Sequence, residues 1–153
     1  MILTVWPFVF ATTHRRARDI TCPVTASATH IDMVIALFDT NVLIDYLNGI
    51  DAARGELDRY EKRAISVITW MDVMVGTTPT TENGTRIFLN SFVHIEIDDI
   101  VATRAVALRR IHRMKLPDAI VWASAQTRSM LLVTRNIKDF PGDEPDVRVP
   151  YGL

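Results

Sequence analysis

Thiols are nearly absent from this chain. Cys22 is its only cysteine, so no internal disulfide can form, and neither Cys nor His recurs at the close spacing a zinc site requires. A reducing cytoplasm suits such a chain. An excess of charge is missing too: 17 Lys and Arg against 18 Asp and Glu leave a formal net charge of -1. That excludes a histone-like polycation, yet it leaves room for an enzyme whose acidic site and basic rim cancel. Long apolar runs are also lacking. Residues 1–11 are apolar but far short of the roughly 20 residues a membrane span needs, and Arg15, Arg16 and Arg18 follow that run, whereas a secretory signal places its positive charge in front. Neither membrane insertion nor export is expected, and no internal repeat is present.

What the chain does have is apolar content, 48% of 153 residues, enough for one domain with a core that needs no staples. Residues 12–32 keep neither a 2-residue nor a 3.6-residue period and are rich in Thr, Ala and Ser, so residues 1–32 read as an irregular N-terminal extension. Met33 directly precedes the first convincing strand. Natural translation is expected to start there, which the amino-terminal peptide mass of the native protein would test, and 33–153 is expected to be the folded domain.

Residues 34–38 form a continuous apolar run ending at Asp39, the pattern of a strand buried on both faces. Asp39 or Thr40 can cap a helix that runs through Tyr46 and stops near Gly49, and 52–62 continues as a second, polar-faced helix. A second strand is expected over 65–68, with Thr69 capping a short helix to Gly76. A Thr/Pro/Asn/Gly loop spans 77–84, a helix 85–91, and a third strand 93–97. Asp98 opens a longer helix in which Val101, Ala105, Leu108 and Ile111 recur at helical spacing. Pro117 starts another that runs to about Arg128. Residues 130–134 supply a fourth strand and 147–149 a short fifth. Strands separated by helices imply crossover units, hence an α/β fold with a mainly parallel sheet of four to five strands and helices on both faces.

In such sheets ligands bind outside the carboxyl ends of the strands. Asp39 ends the first strand, Asp72 follows the second by one helical turn, and Asn136 and Asp139 follow the fourth. Asp118 opens the helix feeding the fourth strand, and strand placement alone puts it at the far edge or along the side. Each has a structural explanation as well: Asp39 as a helix cap, Asp118 as a first-turn acid favoured by the helix dipole, Asn136 and Asp139 as turn formers. Asp72 is the exception, because Trp70, Met71, Val73, Met74 and Val75 surround it and an unpaired carboxylate buried among them would be costly. Oxygen ligands without sulfur or histidine suit a hard cation, Mg²⁺ or Mn²⁺, which would shield a phosphodiester from the acids and activate a water. His94 and His112 lie away from these acids in sequence and are expected to be ordinary surface or core histidines.

Four stretches carry a resemblance: Phe38-Asp39-Thr40-Asn41-Val42-Leu43-Ile44-Asp45, Ile68-Thr69-Trp70-Met71-Asp72-Val73-Met74-Val75-Gly76, Leu116-Pro117-Asp118-Ala119-Ile120-Val121-Trp122-Ala123-Ser124-Ala125, and Leu132-Val133-Thr134-Arg135-Asn136-Ile137-Lys138-Asp139-Phe140. In this order the chain resembles the PIN-domain nucleases, specifically VapC-type toxins of toxin–antitoxin modules, from about Val34 onward. The resemblance implies a three-layer α/β/α sandwich, Mg²⁺-dependent endoribonuclease action on RNA, a homodimer and a cognate antitoxin. It implies that Asp39 and Asp118 hold the metal directly, that Asp72 holds it through water or orients the nucleophile, and that Asn136 and Asp139 support a bound water. Thr40 and Asn41 would hydrogen-bond within the site, and Arg135 or Lys138 would meet the scissile phosphate. Two departures stand out: the family usually carries Glu where this chain has Asp72, and its fourth acid often aligns with Asn136.

Outside the acids, Arg109, Arg110, Arg113 and Lys115 form the best basic patch for an RNA backbone, although a solvated helix face explains them equally well. A haloacid-dehalogenase-like phosphatase would need a second Asp where Asn41 stands, and a receiver domain would need an acidic pair after the first strand. The remaining alternative is a PIN-fold module with weakened catalysis that binds antitoxin or RNA without cutting.

Overall fold

The computed structural model describes residues 34–140 and 143–152; the expected extension over 1–32 and the expected start at Met33 lie outside the described residues. Within them five strands form one sheet: β1 (Ala36–Phe38), β2 (Arg63–Ser66), β3 (Val93–Ile95), β4 (Leu131–Val133) and β5 (Val147–Arg148). All neighbours are parallel, in the order β3-β2-β1-β4-β5. From β1 the chain builds outward on one side through β2 and β3, then crosses to the other side for β4 and β5. The order of construction therefore reverses between β1 and β4, which is where an open α/β sheet leaves a crevice at its carboxyl edge.

Side chains alternate across the strands and divide the core in two. Leu37, Ala64 and Leu132 point to a layer built with α5 (Asp99–His112) and α6 (Leu116–Thr127). Ala36, Phe38, Ile65 and Val133 point to the opposite layer, where α1 (Thr40–Leu47), α2 (Asp51–Leu57) and α4 (Glu82–Leu89) contribute Val42, Leu43, Leu57 and Leu89. This is the three-layer α/β/α sandwich. The helix α3 (Val67–Val75) follows β2 directly, and no described helix is long and apolar enough to cross a membrane.

Several boundaries differ from the sequence expectation. The second strand sits two residues earlier, and Ser66, accepting from the Ile68 amide at 3.4 Å, caps α3 in place of Thr69. The apolar run 65–68 fits strand and helix equally, and the cap decides where one becomes the other. The second helix ends at Leu57 and the fourth spans Glu82–Leu89. Gly49, at φ +74, turns the chain out of α1, a conformation other residues adopt at a cost. On α5, Val101, Ala105 and Leu108 are buried, but Ile111 is 68% exposed and Met114 packs in the core instead. The helix ends before the next buried position, with Arg113 left-handed at its cap.

Candidate active site

Asp39 leaves β1 and caps α1, and its carboxylate is almost wholly buried. Oδ1 accepts from the Thr40 amide at 2.7 Å, and Oδ2 accepts from Asn41 Nδ2 at 2.7 Å and Thr134 Oγ1 at 2.8 Å. Thr134 closes β4 on the far side of the switch point, and the Asp39 amide donates to the Val133 carbonyl beside it at 3.0 Å. The two loops that meet at the crevice are thus tied by side chains as well as by the sheet. Asn41 completes the tie: its Oδ1 accepts the Arg135 amide at 3.0 Å. Asn136 donates its amide to Thr134 Oγ1 at 3.0 Å and its Nδ2 to Asp139 Oδ2 at 2.6 Å.

Asp118 occupies the first turn of α6, at the carboxyl edge and not at the far edge that strand placement suggested. A helix that feeds straight into a parallel strand must end at that strand's amino edge. Twelve residues at about 1.5 Å each carry its start back roughly 18 Å. The reversal is made by α5, whose cap Asp98 pairs with Arg128 at the far end of α6, 2.6 Å away.

The acids act on one another electrostatically. Burial raises the Asp39 carboxyl above its usual range, the three hydrogen bonds oppose that, and Asp72 adds to it. Asp118 is pushed up to about 6, first by burial, then by Asp39 and Asp139, with Lys115 opposing and Asp72 adding a smaller push. Carboxylates from three other segments therefore act on Asp118, and repulsion of this kind is what a cation relieves. Every donor is a hard oxygen. Hard oxygen donors suit Mg²⁺ or Mn²⁺, although among the described residues no three Asp, Glu, His or Cys side chains stand grouped to hold an ion.

A PIN domain family model matches residues 36–141. The chain belongs to the PIN-domain family. It is 32% identical over 125 residues to ribonuclease VapC10 of Mycobacterium tuberculosis, covering 76% of this chain and 93% of that one. A chain in a toxin–antitoxin complex from Klebsiella pneumoniae is 48% identical and superposes with a TM-score of 0.74, over 77% of this chain and 99% of that one. VapBC2 from Rickettsia felis, bound to a DNA fragment from its promoter, shares the fold at 21% identity and a TM-score of 0.63, over 74% and 96%.

Not every residue singled out in this PIN domain lies where the sequence suggested. Asp72 is exposed, because α3 turns Met71 (42% exposed) and Val75 (86%) outward; the expected cost of burying it does not arise. Arg135 directs its guanidinium to Asp45, Nε at 2.7 Å and Nη2 at 3.2 Å. Lys138 is exposed. His94 bonds the Leu89 carbonyl at 3.0 Å and His112 rests on Trp122, ring centroids 4.9 Å apart, so both are structural. Arg109, Arg110, Arg113 and Lys115 are all exposed. Two contributors escaped the sequence reading, Thr134 and the buried Asp45. For Thr134 the available signal was its place immediately before Asn136, at the end of a strand whose carboxyl edge meets that of β1.

Proposed function

We propose that this protein is a divalent-metal-dependent endoribonuclease, the toxin of a toxin–antitoxin pair. The observation that carries the reading is the convergence of Asp39, Asp72, Asp118 and Asp139 at the switch point of a parallel sheet. The 32% identity to a protein named a ribonuclease and the 48% identity to a chain of a toxin–antitoxin complex support it.

Asp39 and Asp118 are the residues that would hold Mg²⁺ or Mn²⁺, with Asp72 and Asp139 reaching it through water. When bound, such an ion polarises a phosphoryl oxygen and lowers the pKa of a water. The chain's own residues set the stage. Thr40, Asn41 and Thr134 fix both oxygens of Asp39, so that carboxylate pays no ordering cost when it binds. Asn136 orients Asp139. Lys138 offers an exposed positive charge to the scissile phosphate, and the Arg109–Lys115 surface offers more to the RNA backbone. Charge on RNA would otherwise be repelled by the acids.

In the cell the protein acts in the cytoplasm as a homodimer restrained by its antitoxin. A basic side chain of that partner entering the acidic crevice would block ion and phosphate together. Purified protein incubated with total RNA and Mg²⁺ or Mn²⁺ should cut it, and chelator or Asp39→Asn should stop the cutting. Intact RNA under all conditions, with antitoxin still bound, would instead establish the non-cutting binding module.

A further inference from the structure

The proposed mechanism uses neither member of the buried ion pair between Asp45 and Arg135. Asp45 lies on α1 with 5% of its surface exposed. It accepts from Arg135 Nε at 2.7 Å, Arg135 Nη2 at 3.2 Å and the Tyr151 hydroxyl at 3.1 Å. A buried carboxylate with a two-pronged guanidinium partner is geometrically specific, because the planar fork fits in one orientation.

What the pair joins matters more than its strength. Asn41 and Asp45 are four residues apart on α1, hence one above the other on the same helix face. Arg135 lies across both: its backbone amide donates to Asn41 Oδ1 at 3.0 Å while its side chain grips Asp45. Asn41 in turn holds Asp39, while the residues flanking Arg135 are Thr134, which also holds Asp39, and Asn136, which holds Asp139. One residue therefore fastens the exit of β4 to α1 at two points, and the two acids it separates belong to the two loops so fastened.

We infer that Asp45 and Arg135 form a clamp of positioning residues that sets the Asp39 loop against the Asn136–Asp139 loop, with Tyr151 holding the Asp45 side of it. Neither residue touches RNA or ion. The inference rests on the ribonuclease reading for its effect on turnover, but its geometric core does not. Loss of the clamp loosens the 135–139 segment, displaces Asp139 and lowers turnover without weakening RNA binding.

Arg135→Lys, Asp45→Asn and Tyr151→Phe in the full chain test this by steady-state RNA cleavage and by hydrogen exchange of the 135–139 amides. Lysine keeps the charge and loses the fork. Expected for Arg135→Lys and Asp45→Asn is a fall in kcat of about 10- to 100-fold, the usual range for residues that orient a site. KM should stay within about twofold, and the 135–139 amides should exchange faster at a temperature where the rest of the domain stays protected. Tyr151→Phe should show a smaller effect of the same kind. A raised KM with kcat intact would make Arg135 a direct substrate contact and overturn the clamp. Unchanged kcat and unchanged exchange would reduce the pair to a structural ion pair. Should the wild-type protein cut no RNA, the ribonuclease reading fails alone, and exchange decides the clamp: faster in 135–139 supports it, unaltered refutes it. Should Asp45→Asn not fold, Arg135→Lys and Tyr151→Phe carry the same comparison.

Discussion

Thr134 Oγ1 donates to Asp39 Oδ2 at 2.8 Å, across 95 positions of sequence, and the same oxygen accepts the Asn136 amide at 3.0 Å. One fully buried hydroxyl thus serves both loops of the acidic crevice. Thr134→Val keeps the shape and removes both bonds, leaving the Asn136 amide without that acceptor and Asp39 with only its bonds from Thr40 and Asn41. Stability should fall by about 1–3 kcal/mol and cleavage by about 10- to 100-fold, whereas Thr134→Ser should retain most of each. Denaturant unfolding and cleavage assays on the same preparations check this; an unimpaired valine variant would refute the assignment.

Burial first, and repulsion from Asp39 second, hold the Asp118 carboxyl up at about 6. A carboxyl raised on folding favours the fold while it is protonated. That contribution is complete below the ordinary 3.8 and is lost as pH rises through about 6. At pH 7 the chelator-treated protein therefore carries an ionised Asp118 at a cost on the order of 1 kcal/mol, after allowing for solvent screening of a part-exposed group. Asp118→Asn should raise its melting temperature by about 2–6 °C at pH 7, bring no gain at pH 4, and abolish cleavage at any pH. Thermal melts at the two pH values decide the matter, and destabilisation at pH 7 would place Asp118 outside the cluster.

Asp72 stands where the family resemblance leads one to expect a glutamate. Aspartate is one methylene shorter, so its oxygens fall back by about 1 Å or more, while metal–ligand distances tolerate only about ±0.2 Å. An exposed position on α3 makes the side chain free to be lengthened without repacking. Cleavage at limiting Mg²⁺ should rank Asp72→Glu above wild type and wild type above Asp72→Ala. An inert alanine variant alongside an unimproved glutamate variant would remove Asp72 from the site.

Thr69 presents the opposite situation. It is completely buried in α3, and among the described residues its hydroxyl has no hydrogen-bond partner. Valine has the same shape without the unpaired group, and burying an unsatisfied hydroxyl costs about 1–3 kcal/mol. Thr69→Val should leave stability unchanged or raise it by about 1 kcal/mol, with cleavage unaffected. A clear loss of stability in urea would mean that the hydroxyl is engaged after all.

The order of strands and helices was legible because apolar runs and caps alternate cleanly, and because Asp39, Asn136 and Asp139 each close or follow a strand. Three features were hidden for definable reasons. The edge occupied by Asp118 depends on how many times the chain crosses between β3 and β4, and local sequence does not reveal that α5 and α6 pack as one helical hairpin. The surroundings of Asp72 looked apolar in sequence, yet α3 leaves Met71 and Val75 uncovered, and composition alone does not say which apolar face is packed. Thr134 and Asp45 matter through partners about 90 positions away, and no local pattern encodes such pairings.

The central place of β1 also has a temporal side. Its neighbour β2 follows within a short stretch of chain, but its other neighbour, β4, emerges from the ribosome only after β3, α5 and α6 have been made. Until then Asp39 lacks the Thr134 hydroxyl, Asn41 lacks the Arg135 amide, and Asp139 does not yet exist. Asp72 and Asp118 are made by then, but the loop after β4 that fixes Asp39 and carries Asp139 is not. On the proposed ribonuclease reading, this connectivity postpones the completed site until most of the polypeptide has left the RNA machine that translates it.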